Sequence, residues 1–267
     1  MNFIKIRFFH FLLLFPVLLH GLNENKLKDQ NSNWIQEILA GQKYGCWKTL
    51  DRNGKEVILE GERIACDINE NKIISEFGLE NIAYMFATTS KSTHIELIKK
   101  HPSILLLPSM WLIFFKMLFS RKNYTDLLQD GYIEEITDIY NQKNDYQIYL
   151  FTVSELDQDG DKSLLGSIMF YIKNNYEYGS AEPFHLFVKP EAQGRGLSKI
   201  LMSGILKLLP QTEKFVFDVA STNRVAINIY EKFGAKKCSG GIYNLSYEYV
   251  IADHPEIKDF IDGFKEF

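Results

Sequence analysis

The stretch that most constrains this chain runs from Phe184 to Leu209. Phe184 to Val188 is short, apolar and strand-like, and it stops at Lys189-Pro190. Proline has no N–H and a fixed φ, so it punctuates a strand rather than continuing it within a sheet. Gln193-Gly194-Arg195-Gly196-Leu197-Ser198 follows, and Leu197, Ile200, Leu201, Ile205 and Leu208 then recur at helical spacing. The unit is strand, glycine-rich loop, helix. Such a loop brings bare backbone N–H groups to the positive end of a helix, where they can hold a phosphate. Gly194 and Gly196 let the main chain come close and take unusual φ values. The first helical turn carries no acidic side chain that would repel an anion. A dinucleotide fingerprint needs a third glycine where Lys199 stands, and the Gly-Lys-Ser/Thr ending of a P-loop is absent. The pattern points to a pyrophosphate cradle of another kind.

Downstream, Phe215, Phe217 and Val219 alternate on one face of Lys214 to Ala220, which reads as a strand. A helix follows from about Asn223, with Thr222 or Asn223 as its cap and Gly234 just past its end. With these two segments the chain resembles the GNAT superfamily of N-acetyltransferases. The superfamily's phosphate loop, Gln/Arg-x-x-Gly-x-Gly/Ala, is matched at Gln193, Gly196 and Ser198. Its later helix, Asn-x-x-Ala-x-x-x-Tyr-Glu-Lys-x-Gly-Phe, is matched at Asn223, Ala226, Tyr230, Glu231, Lys232 and Gly234. Ser198 replaces a small apolar residue and Ala235 replaces the Phe; neither change removes a donor. The match is best from Tyr146 to Ile251.

The resemblance implies an α/β fold: a mixed, mostly antiparallel sheet splayed at its centre, with helices on both faces. It implies acyl transfer, usually acetyl, from acetyl-CoA to an amine by direct attack, with no metal. The cofactor set it implies is Phe187, Val188, Gln193, Gly194, Arg195, Gly196, Leu197, Ser198, Asn223 and Tyr230, with charge from Arg195 and Lys199 in addition. Tyr230 is the implied acid that protonates the departing thiolate, a phenol of ordinary pKa near 10 facing a thiol near 8.5. Glu182, eleven positions before Gln193, matches the general-base glutamate of the histone-acetylating branch. His185 is a rival base, since an unperturbed imidazole titrates near neutrality, and an ordered water is a third. Strand alternation puts Glu182 and His185 on opposite faces unless Pro183 disturbs it. The acceptor is not legible, and homodimerisation is left open. A different class, an exported or surface binding protein that keeps the fold without turnover, stays beside the enzyme reading.

The rest of the chain bounds these readings. A formal charge of −4 argues against a nucleic-acid-binding surface. Residues 1–21 have Lys5 and Arg7 ahead of an apolar run, Phe8 to Leu19, interrupted at His10 and Pro16. That is the layout of a secretory signal, with an uncleaved membrane anchor or a buried helix as alternatives. It suggests export or membrane anchoring, whereas use of acyl-CoA needs access to a cytosol. Residues 22–80 read as an N-terminal extension with a hairpin from Cys46 to Cys66 about the Asn53-Gly54 turn. Its two cysteines form either a disulfide or two reduced thiols. The acyltransferase domain is assigned to 81–252, opening on a strand at Ile82 to Thr88, then a helix at Lys91 to Lys100. Next come an apolar helical stretch from Ser103 to Phe119 and a helix at Tyr132 to Tyr140. Strands at Gln147 to Val153 and Leu164 to Ile172 flank Asp157-Gln158-Asp159-Gly160-Asp161. That acidic segment lacks the sixth-position glycine and closing glutamate of a calcium loop and reads as a turn. Tyr243 to Ile251 is the expected last strand, and within the tail, 253–267, Asp259 to Phe267 is expected to fray.

Overall fold

The computed structural model describes residues 44–267 except 65–70, 107–110, 112–116, 118–121, 142–145, 174–179 and 242–243. The expected N-terminal signal or anchor, the polar linker behind it, and most of the apolar stretch before Phe119 lie outside the described residues. Among the described residues no helix is long and apolar enough to cross a membrane.

The strands are β1 (Tyr44–Leu50), β2 (Glu56–Arg63), β3 (Tyr146–Leu156), β4 (Lys162–Lys173), β5 (Ser180–Val188), β6 (Lys214–Ala220), β7 (Lys236–Gly240), β8 (Asn244–Val250) and β9 (Lys265–Glu266). Among the described residues they form one nine-stranded sheet in the order β7-β8-β6-β5-β4-β3-β2-β1-β9. Every pairing is antiparallel except β5 with β6, which is parallel. Parallel neighbours need a crossover, and the helix predicted after the glycine loop supplies it.

Among the described residues the α-helices are α1 (Lys72–Phe77), α2 (Leu79–Lys100), α3 (Tyr124–Asn141), α4 (Leu197–Leu208), α5 (Arg224–Phe233) and α6 (Glu256–Asp262). Strand alternation sorts them into two layers. In β3, Tyr149, Phe151 and Val153 join a core with α4, α5 and α6, while Ile148 and Leu150 join one with α1, α2 and α3. Leu197, Ile200, Leu201, Ile205 and Leu208 are all buried along α4, as their spacing requires.

The central feature is a splay. β5 and β6 pair only at Ser180 with Lys214 and Ala181 with Phe215. Beyond Ala181 they diverge, so among the described residues the β6-facing edge of Glu182 to Val188 has no strand beside it. β6 stays paired along its other edge to β8 from Lys214 to Ala220.

Two sequence expectations give way here. Ile82 to Thr88, read as a strand, lies inside α2. Its buried residues Ile82, Ala83, Phe86 and Ala87 repeat at helical period, which a continuous apolar run conceals. Asp259 to Phe267 does not fray. α6 buries Ile257, Phe264 joins the same core, and Lys265–Glu266 adds to β1 opposite Lys48 and Trp47. An uncovered β1 would present a row of unpaired backbone groups, and the short β9 covers part of it. A further strand not legible in the sequence, β7, precedes the expected β8 and pairs with it.

Candidate active site

The glycine loop begins where β5 ends. Pro190–Ala192 forms a single 3-10 turn, and Gln193 donates its side-chain amide back to the Val188 carbonyl at 3.2 Å. Gly194 and Gly196 take φ of 81° and 80°, a region costly for any residue with a Cβ. Gly196 is the N-cap of α4 and offers no side-chain cap. Among the described residues, the backbone N–H groups of Gly194, Arg195, Gly196, Leu197 and Ser198 meet no acceptor; the first that does is Lys199, which donates to the Gly196 carbonyl at 3.0 Å. A row of unsatisfied N–H groups at a helix start is the arrangement that holds an anion.

The positive side chains of this loop are engaged elsewhere. Arg195 donates from Nε to Asp51 Oδ2 at 2.6 Å and from Nη2 to Glu155 Oε2 at 2.8 Å. The Lys55 ammonium also meets Glu155, at 2.7 Å. Asp51 has no exposed side-chain surface and Arg195 has 14 %. Burial by itself pushes the Asp51 carboxyl up, but hydrogen bonds from Arg195 and from the Lys55 and Asn53 N–H groups outweigh it and hold the carboxyl below its usual range. The Arg52 N–H donates to the Arg195 carbonyl at 2.9 Å. Lys199 lies with its ammonium 4.4 Å from the centre of the Phe260 ring in α6. What Arg195 offers an anion is therefore its N–H. Asp51 and Glu155 were missed by sequence reasoning. The Asp51 to Gly54 segment was read only as a turn, and nothing local announces a partner 144 residues away.

Along β5, Ser167 pairs with Phe187 and Met169 with Phe184, so His185 and Leu186 together oppose Ile168. This is a bulge, and His185 takes φ 50°, the one positive φ of a non-glycine among the described residues. One inserted residue reverses strand parity. Glu182 stands opposite Tyr171, which belongs to the α1–α3 layer. His185 lies in that layer too, its ring centre 5.2 Å from Phe86 and 4.6 Å from Tyr132. The expected placement on opposite faces is thus corrected by the bulge. Burial pushes His185 down to about 3. An imidazole so shifted is neutral at physiological pH and a weak base, which removes the reason for preferring it. Phe187 packs toward the α1–α3 layer and Val188 toward the α4–α6 layer.

On the other side of the splay, Asn223 rather than Thr222 caps α5, its Oδ1 accepting from the Ala226 N–H at 3.1 Å. Gly234 ends the helix at φ 104°, donating to the carbonyls of Tyr230 and Glu231. Between these ends Tyr230 is 8 % exposed and stacks on Phe217 of β6, with centroids 4.3 Å apart. Burial, with a contribution from the Asp218 charge, pushes its phenol well above the ordinary value. The fold therefore carries the N–H row on the α4 side of the diverging strands and a firmly protonated phenol on the α5 side.

Residues 115–235 match the model of the acetyltransferase (GNAT) family. No curated protein matches the chain. Similar solved structures include a spermidine N-acetyltransferase SpeG chimera from Vibrio cholerae and hSSAT, 22 % identical over 45 % of this chain and 78 % of that one, with a TM-score of 0.34. Another is the PaiA N-acetyltransferase from Thermoplasma acidophilum in complex with coenzyme A, 18 % identical over 51 % of this chain and 85 % of that one, with a TM-score of 0.38. At such identities and scores nothing about this chain's substrate follows from either. The family match spans the glycine loop, β6 and α5, so both sequence motifs lie inside it. Through that segment the chain is similar to the GNAT acetyltransferase family.

Proposed function

We propose that this protein is an acyl-CoA-dependent N-acyltransferase that moves an acetyl group from acetyl-CoA to an amine. The observation that carries the reading is the row of N–H groups from Gly194 to Ser198, without acceptors among the described residues, just past the end of β5 where it has diverged from β6, the strand on whose Phe217 the Tyr230 ring stacks. The family match over residues 115–235 supports an acyl-CoA as donor.

The chain's own groups divide the work. The loop N–H groups and the α4 dipole bind the pyrophosphate. The β6-facing edge of β5 beyond Ala181 offers backbone groups to an extended arm lying in the splay, as an additional strand would; at its end the Val188 carbonyl already accepts from Gln193, leaving the Val188 N–H as the donor there. Glu182, half-buried on the α1–α3 face, takes the ammonium proton, directly or through water, so that a neutral amine reaches the carbonyl carbon. As the C–S bond breaks, Tyr230 donates its hydroxyl hydrogen to the leaving sulfur. With its raised pKa the phenol is the weaker acid of the two, so it acts by hydrogen bonding to developing negative charge rather than by releasing its proton beforehand.

Calorimetric titration of the protein with acetyl-CoA tests the reading. Near-equimolar binding, with free thiol released on addition of an amine acceptor panel, is expected. Binding without thiol release across the panel would favour the non-catalytic binding protein, and absence of binding to acetyl-CoA or longer acyl-CoAs would overturn both uses of the loop.

A further inference from the structure

We propose that the β1–β2 turn is a working part of the phosphate cradle, and that Asp51 is the positioning residue that sets the loop's shape through Arg195. The inference rests on the acyl-CoA reading above and extends it to a segment outside the residues 115–235 that carry the family match.

Arg195 sits between two glycines in left-handed conformation, the part of the loop with most freedom to lose on ordering. The turn holds it at two points, Nε on Asp51 and its carbonyl on the Arg52 N–H, and Glu155 near the end of β3 holds Nη2. The carbonyl contact has a directional consequence. A trans peptide is planar, so the Arg195 C=O and the Gly196 N–H point in opposite directions. With the carbonyl turned toward Arg52, the Gly196 N–H is turned away from the hairpin. The Arg52 Cβ lies 3.6 Å from where a Cβ on Gly196 would stand, so the turn also packs on the loop's backbone.

The electrostatics favour positioning over charge donation. Asp51 and Glu155 balance Arg195 and Lys55, so the guanidinium brings no net charge to a phosphate. Asp51 is itself fixed from the turn, its Oδ1 accepting from the Asn53 and Lys55 N–H groups at 2.8 and 2.9 Å. The clasp is rigid on the hairpin side and ends on the loop.

The test compares two donors in the full chain. Acetyl-CoA carries the pyrophosphate; S-acetylpantetheine carries the thioester and both amides but no phosphate. Asp51→Asn is expected to raise the Kd for acetyl-CoA about tenfold, because small misplacements of a preorganised site are costly, and to leave S-acetylpantetheine binding, followed by ligand-observed NMR, within twofold. Glu155→Gln, which removes only the outer partner, is expected to shift the same ratio less and serves if Asp51→Asn does not fold. A merely structural role would weaken both donors alike, or lower the melting temperature with the donor ratio unchanged, and either result overturns the inference. So does tighter acetyl-CoA binding, which would mean that Arg195 had been withheld from the phosphate. Wild-type protein that binds no acetyl-CoA sinks the acyltransferase reading and this inference together; wild-type binding with an unchanged donor ratio in both variants sinks this inference alone.

Discussion

At the scale of single residues, burial assigns opposite fates to two candidate acid–base groups. The Tyr230 phenol is raised and so carries its proton throughout the physiological range, whereas the His185 imidazole is lowered to about 3 and stays empty there. Tyr230→Phe keeps the ring on Phe217 and removes only the hydroxyl. Turnover should fall by about a hundredfold or more with acetyl-CoA affinity within twofold, read by thiol release and by calorimetry. His185 predicts a stability effect instead. Unfolded, it titrates near 6.5; folded, near 3. The unfolded chain binds the extra proton, so this contribution is complete above pH 6.5 and is lost as pH falls from there toward 3. His94, lowered to about 4, acts in the same direction. Urea midpoints at pH 7, 6 and 5 should decline, and His185→Gln should flatten that decline. An unchanged slope would assign the loss to other groups.

At the scale of elements, the site depends on how two helices start. α5 starts on the Asn223 side chain, and Asn223→Ala should cost about 1 kcal/mol in denaturant unfolding. α4 starts on Gly196, whose φ of 80° no side chain favours. Gly196→Ala should cost about 1–2 kcal/mol and weaken acetyl-CoA binding as the loop relaxes. Its Cβ would meet Arg52 at an ordinary 3.6 Å, so the cost is conformational rather than steric. If Gly196→Ala binds and unfolds like the wild type, the left-handed turn is not the loop's working shape. Both helix starts were readable from sequence, because capping and left-handed glycine are local chemistry. The strand between Lys162 and Lys173, its partner β3 and the Asp157 turn were readable for the same reason; Asp157 Oδ1 accepts from the Asp159 and Asp161 N–H groups at 2.9 Å.

At the scale of the molecule, the two ends of the described chain meet. β9 adds to β1, and the Phe267 N–H donates to the Cys46 carbonyl at 3.0 Å. Cys46 carries a free thiol; Cys66 lies outside the described residues. Phe264, 4 % exposed, anchors the returning segment in the α4–α6 core. Phe264→Ala should cost about 3–4 kcal/mol in urea unfolding. Truncation after Asp262 should add concentration-dependent light scattering, since it uncovers the β1 edge. A truncated chain as stable and monodisperse as the full one would make the tail dispensable.

Taken alone, the sequence determined what is local: the strand, glycine loop and helix start, the Asn223 and Gly234 helix ends, the β6 alternation, and the tight turn after β1. Through motif spacing it also reached the family whose model residues 115–235 match. Periodicity and capping act over a few residues, so a few residues suffice to read them. Tertiary structure alone decided the rest. Ile82 to Thr88 is apolar enough for a buried strand or a buried helix, and the α1–α3 layer selected helix. The bulge that turns His185 toward Phe86 and Tyr132 arises from mismatched registers on β4 and β5, which neither strand encodes by itself. The commitment of Arg195 to Asp51 and Glu155 joins segments far apart in the chain, and a charged side chain's partner is set by which opposite charge folding brings within hydrogen-bonding distance, not by its neighbours in sequence.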